Sequence, residues 1–523
     1  MSKTEQDEQA PQKSARDLLA DRRARLTRMR DEFGVDPFGG RIDELVPLAD
    51  AKSLYNEAAD LAHKENADDD RRPVVKIAGR VMQHRVMGNL IFMNLRDQSG
   101  DLQLAVSKKL VGPDAFKVAK LVELSDIVSA TGPLAKTKTG EITAWATADE
   151  SSDDSEPAFA VAVKSLALPP NKFQGLQDPE QRYRKRYVDM YANPEVIETF
   201  QLRSKIVSEI RRFMDGRTFM EVETPMLQPI AGGAAARPFT THHNALDIPL
   251  FLRIAPELYL KRLMVGGLPR VYEINRNFRN EGVDRSHNPE FTAMEVYEAF
   301  GDYLTMMELT ESLIRHLATT IKPDGIIEWD GTAIDYSKPF TRVTYAELFK
   351  NANGFEITDF EKVRDKARAL GLKEKGMDDW LVVNEVFEAT AEGGLMQPTF
   401  VMDYPSVISP LTRPRKDNPE LCERWDLFIG EMEIGPAYTE LNDPDIQEAK
   451  FKEQLAGADD EESTFRSLDE DFLEALRVGM PPAGGLGLGI DRIVMLLTGQ
   501  RSIRDVILFP LMRPMESTGK QES

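Results

Sequence analysis

RVYEINRNFRNEGVDRSHNPEFTAMEVYEAF, residues 270–300, is the stretch from which the architecture of the larger part of the chain can be read. It reads as a strand, a polar loop at 282–290 and a second strand. Side chains alternate faces along a strand, so Arg279 and Glu281 share one face of the first run. Glu295 and Tyr297 likewise share one face of the second. An antiparallel hairpin then sets a guanidinium, two carboxylates, a phenol and the ring of Phe291 on one surface. A hairpin that serves packing alone rarely spends so many charges on its covered face. The planar guanidinium fork suits phosphate or carboxylate, and Phe291 can stack on a base. The hairpin is therefore expected to carry a site.

Two further stretches flank it. AGGLGLGIDRIVMLLTG (483–499) places Gly485, Gly487 and Gly489 on one face of a strand, stripped of side chains, so that a flat ligand can lie against the backbone. A helix follows with Arg492 in its first turn and Gly499 as its cap. A phosphate loop or dinucleotide fold is excluded: there is no G-K-[ST], and G-x-G-x-G is not the G-x-G-x-x-G of a βαβ unit. FMEVETPML (219–227) reads as an amphipathic helix running into a strand that ends at Pro225; packing or a dimer edge explains it equally. Helices are expected over 194–215 and 302–319. Strands and helices do not alternate regularly from 193 onward, so the expected class is α+β with an antiparallel sheet, not a doubly wound one.

Upstream, Pro73 to about Leu168 has period-two patterning. Strand-like runs fall at 75–81, 91–95, 101–106, 126–134, 141–148 and 158–168, with a short amphipathic helix at 113–124 between the third and fourth. That order describes an OB-fold barrel, whose outer face commonly binds single-stranded nucleic acid. Phe92 alone fits the core as well as a stacking platform, but its place in the alternation, opposite Ile91 and Met93, favours the platform. An earlier helix carries Arg22, Arg23, Arg25, Arg28 and Arg30, which suits a solvated face or a phosphate contact. The basic cluster Arg182, Arg184, Lys185 and Arg186 leaves the same two options. Acidic stretches lie at 150–157 and 459–471.

Composition narrows the function classes. The 523 residues are 41% hydrophobic and 29% charged, within the ordinary globular range. No apolar run approaches the ~18–20 residues of a membrane helix, and the polar N-terminus has no secretory apolar core. A single cysteine, Cys422, excludes a disulfide framework and a thiolate zinc cage, so a reducing cytoplasm is expected. A net charge of −21 argues against coating nucleic acid non-specifically, though not against a local basic patch.

At these residues the chain resembles the class II aminoacyl-tRNA synthetases. FMEVETP is similar to their first motif, NFRNEG…HNPEFT…E to their second and GLGLGIDR to their third, in order and behind a barrel. Within the class, APELYLKRL (255–263), GGAAARPF (232–239), YEINRNFRNEG and AYTELNDP (437–444) resemble the bacterial lysine enzymes. The resemblance implies an N-terminal extension over 1–72, an anticodon-binding barrel over 73–168, a linker over 169–192, a catalytic domain over 193–515 and a polar tail over 516–523.

It also implies ATP, L-lysine and tRNA(Lys) as partners, Mg²⁺ as cofactor and a homodimer built on the first motif. Arg279 and Arg492 would be catalytic. Glu281, His287, Asn288, Phe291 and Gly489 would join them around ATP. Gly233, Glu257, Glu295, Tyr297, Tyr438 and Glu440 would hold lysine with Arg279. Two carboxylates, Glu257 and Glu440, would be left unpaired by any uncharged side chain, which is a strong basis for rejection. Asp426 and Glu433 would carry the metal, and Arg85, Phe92, Gln103 and Glu141 would read the anticodon. Three departures stand out: Pro436 where the family more usually has Asn, Asp426 where it usually has Glu, and the acidic 150–157 insertion. They bear on substrate affinity, not on reaction type. The competing expectation is a catalytically dead binding protein on the same fold. It predicts loss of a motif arginine or carboxylate, and Arg279, Glu281, Glu433 and Arg492 are all present.

Overall fold

The computed structural model describes residues 14–147, 157–170, 176–234, 236–457 and 469–515. Most of the two acidic stretches lies outside these. The chain divides into two compact units, Met1–Ile197 and Glu198–Ser523.

In the first unit, helix α1 (Ala15–Phe33) precedes the strands β1 (Val74–Met87), β2 (Leu90–Arg96) and β3 (Asp101–Ser107). Helix α2 (Pro113–Leu121) follows, then β4 (Ile127–Lys136), β5 (Ile142–Ala146) and β6 (Phe159–Val163). The strand order is β1-β2-β3-β5-β4-β6, and a further β1–β4 pairing closes the sheet into a barrel. The alternation seen in the sequence is the reason: Ile77, Val81, Ile91, Met93, Leu95, Leu102 and Leu104 all point into one core. The arginine row of α1 is mostly engaged within the chain. Arg22 is buried, donating to the carbonyls of Ser165 and Leu124. Arg25, Arg28 and Arg30 face Glu123, Glu32 and Asp36, leaving Arg23 exposed. The later basic cluster is similarly tied, Arg182 and Arg186 both to Asp189 and Arg184 to Glu180.

The second unit is α+β. Its helix α3 (Pro194–Asp215) leads to β7 (Met220–Glu221), helix α4 (Glu257–Val265), β8 (Arg270–Phe278) and β9 (Glu290–Ala299). Helix α5 (Tyr303–Ile321) comes next, then β10 (Thr341–Thr344), β11 (Thr399–Met402), β12 (Arg424–Ile429), β13 (Met432–Thr439), β14 (Ala483–Gly489) and helix α6 (Ile490–Thr498). Eight of these strands form one sheet in the order β10-β11-β12-β13-β14-β9-β8-β7. It is antiparallel except for β8–β7 and β10–β11. Ile206, Ile210 and Met214 of α3, Met306, Leu313 and Leu317 of α5 and Val494 and Leu497 of α6 pack on Met294, Val296, Leu486 and Leu488 of the sheet. Burying each such side chain contributes roughly 1.5–3 kcal/mol.

Two local expectations need correction. The first hairpin strand ends at Phe278, so Arg279 and Glu281 belong to the connecting loop rather than to a strand face. The Arg279 amide still donates to the Pro289 carbonyl, which keeps the guanidinium beside β9. FMEVETPML holds no helix, and its strand is broken into Met220–Glu221 and a second piece, Leu227–Gln228, on either side of Pro225, which supplies no N–H to a ladder.

Candidate active site

The glycine-rich strand β14 lies between β13 and β9, and its register sets the floor of a cavity. Tyr297 stands opposite Gly485, and Gly485 opposite Tyr438. Two residues along β9, Glu295 stands opposite Gly487. The cavity above has a volume of about 550 Å³ and is lined by Gly233, Glu257, Arg279, Glu281, His287, Asn288, Phe291, Glu295, Tyr297, Glu433, Tyr438, Gly489 and Arg492 among others. The structure thus brings together nearly every residue expected to bind the amino acid or the nucleotide. The glycines divide their work. A Cβ at Gly487 would meet nothing within 4 Å, so there a ligand can lie on bare backbone, whereas a Cβ at Gly485 would fall 1.8 Å from Glu440 Oε1.

One end of the cavity is acidic: Glu257 and Glu295 line it, and Glu440, which is not among the lining residues, lies buried against Gly485. Glu257 is the first residue of α4, where the helix dipole favours a negative charge. Glu440 is 1% exposed and directly follows β13. Its Oε2 meets the buried ammonium of Lys261, while its Oε1 has no hydrogen-bond partner. Burial, with repulsion from Glu257 and against the attraction of Lys261, pushes its pKa up to about 7. Tyr297 donates to Glu295 Oε2 at 3.2 Å. Burial and the neighbouring Glu257 also raise the Glu295 carboxyl well above its ordinary range. Gly233, at φ +87°, brings its backbone against the Glu257 stem.

The expectation of two carboxylates awaiting a cation was incomplete. Lys261, fully buried one helical turn beyond Glu257, puts its Nζ 2.6 Å from Glu257 Oε1 and 2.5 Å from Glu440 Oε2. The two carboxylates hold its pKa above the ordinary lysine value although burial acts in the opposite direction. A Glu–Lys pair at i, i+4 reads in sequence as a solvated helix face, which is why Lys261 escaped notice.

The other end is built to meet anions. Arg279 lies 5.1 Å over the Phe291 ring, and its buried Nε has no hydrogen-bond partner. Arg492 donates to the Glu433 carbonyl and to His287 Nε2, the latter at 3.1 Å. His287 Nδ1 faces Asp284 Oδ2 at 2.8 Å. These partners select the neutral imidazole protonated on Nδ1. Hydrogen bonds from Ser286 and His287 outweigh partial burial and bring the Asp284 carboxyl down to about 2. Asn288 donates to the Glu290 carbonyl and leaves its Oδ1 without a partner. Glu281 is exposed at the rim.

Of the two expected metal ligands, Glu433 is exposed to the cleft. Desolvation by the cleft walls and the charge of Asp426 raise its pKa, while Arg492, Arg424 and Arg279 oppose the rise. Asp426 is already occupied: Arg424 grips both its oxygens, at 2.8 and 2.6 Å. Arg424 also lies over the rings of Tyr404 and Tyr438, a role not read from the sequence. Pro436 stands opposite Asp426 and offers no hydrogen bond from its side chain. Among the described residues no three His, Cys, Asp or Glu side chains converge as a metal cage.

On the barrel, Phe92 is half-buried between the buried Ile91 and Met93, so it faces outward. Arg85 is its neighbour across β1–β2. Gln103 accepts from Thr143 at 2.9 Å, and the exposed Glu141 lies 3.7 Å from Lys52. Sequence reasoning missed Trp145, whose ring meets that of Phe92 edge-on at 6.2 Å. Its place between the small residues Ala144 and Ala146 was the available signal.

Comparison with known proteins identifies the family. The family described as tRNA synthetases class II (D, K and N) matches residues 178–513, and an OB-fold nucleic acid binding domain matches residues 75–148. The chain is 46% identical over 507 residues to a lysine–tRNA ligase of Carboxydothermus hydrogenoformans, covering 96% of this chain and 99% of the relative. It is 47% identical over 508 residues to that of Pelotomaculum thermopropionicum, covering 96% of each. Against that of Cronobacter sakazakii it is 48% identical over 467 residues, covering 88% of this chain and 90% of the relative.

Proposed function

Because the chain belongs to the class II tRNA synthetases, within the lysine–tRNA ligases, we propose a mechanism in which this cavity activates lysine. The enzyme joins L-lysine to tRNA(Lys) at the expense of ATP. In the first step the lysine carboxylate oxygen attacks the α-phosphorus of ATP, and the bond to the bridging oxygen of pyrophosphate breaks. In the second, a ribose hydroxyl at the 3′ end of the tRNA attacks the lysyl carbonyl and AMP leaves. No covalent bond to the protein forms, so the protein contributes orientation and charge stabilisation.

The observation that carries the residue assignments is the unpartnered Nε of Arg279, at the wall of a cavity whose far end is acidic. Arg279 spans the lysine carboxylate and the α-phosphate, two anions that repel each other until a cation lies between them. Arg492, steadied by His287, takes the terminal phosphates. Phe291 stacks on the adenine, with Glu281, Asn288 and Gly489 fixing its position. Glu257, Glu440 and Tyr297 meet the side-chain ammonium, Glu295 meets the α-amino group, and Gly233 and Tyr438 complete the walls.

Mg²⁺ is the cofactor. Glu433 fits such an ion, since magnesium commonly uses one or two carboxylates plus substrate phosphates. Asp426 fits it poorly, because both its oxygens are spent on Arg424. When bound, the ion draws negative charge away from the phosphates. On the barrel, Phe92 stacks on an anticodon base while Arg85, Gln103 and Glu141 contact base edges or phosphate. The functional molecule is a homodimer in the cytoplasm. Support for the dimer comes from the short edge strand β7 and the exposed Met220, Met226 and Leu227 around it. No helix among the described residues is long and apolar enough to cross a membrane.

The test is aminoacylation of tRNA(Lys) with labelled lysine. Phe92→Ala should raise the tRNA KM by roughly 10–100-fold, since base–aromatic stacking contributes about 1–3 kcal/mol. Lysine activation without tRNA should not change. Loss of activation in that variant would refute the division of labour.

A further inference from the structure

Lys261 is a buried charge that the two-step reaction does not itself use. It sits on α4 between the two carboxylates assigned to the substrate's side chain, with no exposed surface of its own. Stability does not account for it well, because a buried ionic cluster is often no more stable than an apolar replacement of the same volume. Its position accounts for it better. The side chains facing Glu440 are Lys261 and Glu257 from α4 and Tyr297 from β9, while β14 contributes only Gly485. With both carboxylates ionised, and Glu295 left to the α-amino group, Glu257 and Glu440 give −2 and Lys261 returns the total to −1. Glu440 Oε1 nevertheless remains without a hydrogen-bond partner.

We propose that Lys261 is a specificity-determining positioning residue, a resident counter-ion that sets the side-chain pocket at one net negative charge so that one, and only one, further positive charge completes it. This rests on the assignment of Glu257 and Glu440 to the lysine ammonium. A neutral side chain leaves the pocket charged and unpaired. A pocket without Lys261 holds two like charges close together and must take up a proton instead. The same count predicts that Glu440→Gln leaves the pocket neutral, with a resident ammonium that now repels the incoming one.

That reversal supplies the test. Lysine-dependent ATP–pyrophosphate exchange is measured for the parent, Glu440→Gln, Lys261→Met and the double variant, recording KM for lysine and for ATP separately. Glu440→Gln raises the lysine KM. Adding Lys261→Met restores the net −1 and should lower that KM again, by roughly tenfold relative to Glu440→Gln alone, the like-charge repulsion having been removed. The ATP KM should stay within about threefold throughout, which reports that the variants are folded. A residue that merely packs α4 makes the double variant worse than either single one, and that result would overturn the proposal. If Lys261→Met alone does not fold, the comparison of the double variant with Glu440→Gln still decides. Absence of lysine-dependent exchange in the parent would instead overturn the assignment of the pocket itself.

Discussion

The two ends of the cavity solve opposite electrostatic problems. At the end proposed for the amino acid the charges are buried and largely matched before any ligand enters: Lys261 already touches both carboxylates. At the end proposed for the nucleotide Arg279 Nε is buried and unpaired, while Arg492 is positioned by the Glu433 carbonyl and His287. A side-chain pocket that must choose among twenty amino acids gains from a fixed charge count. A phosphate site that must follow charge through a displacement gains from donors that are pre-aimed and not yet spent.

The largest effect should come from emptying the nucleotide end. Arg279→Ala is expected to cost about 3–4 kcal/mol of transition-state stabilisation, or roughly 10²–10³-fold in single-turnover lysine activation. A loss below tenfold would break the contrast, since it would mean that the unpaired guanidinium is not aimed at the reaction. At the other end, Gly485→Ala drives a methyl group into the Glu440 carboxylate. It should act like Glu440→Gln, raising the lysine KM by roughly 10–100-fold through loss of a charged partner, with the ATP KM little changed. Titration calorimetry with each ligand checks the split. Equal losses for both ligands would erase the distinction between the ends.

Acidity should separate the ends more gently. On the proposed assignment the Glu440 carboxyl must be ionised to meet the lysine ammonium, and its pKa lies at about 7 through burial and the opposing influences of Lys261 and Glu257. Lysine affinity is therefore complete above that value and falls as the pH drops through it, approaching tenfold per unit below. Glu440→Gln should flatten the limb in a profile of lysine KM against pH. The smallest effect is expected from His287→Ala, which removes one support of Arg492 at an exposed position. A rise in ATP KM of about tenfold or less, with the lysine KM unchanged, would sharpen the assignment of that end.

Much of this was legible in the chain, and the exceptions share a cause. The hairpin charges, the glycine strand and the barrel alternation could be read because a strand's period of two converts spacing directly into a shared face. The end of β8 could not, since backbone pairing at Arg279 depends on Pro289 across the loop. Lys261 was hidden by its resemblance to an exposed helical ion pair; only the arrival of Glu440 from 179 residues away makes it a buried bridge. Arg424 was missed for the same reason, because its clamp on Asp426 is visible only once Tyr404 and Tyr438 enclose it. Gly485 was recognised as bare, but what fills the space is a carboxylate and not a ligand.

The most direct test of the central claim is ATP–pyrophosphate exchange measured for each of the twenty amino acids, with Mg²⁺ and without tRNA. The two-ended cavity predicts exchange with lysine and none above background with the uncharged amino acids. Exchange driven by another amino acid would contradict the charge-counted pocket while leaving the fold in place. Exchange with none would contradict the account of the phosphate end as well.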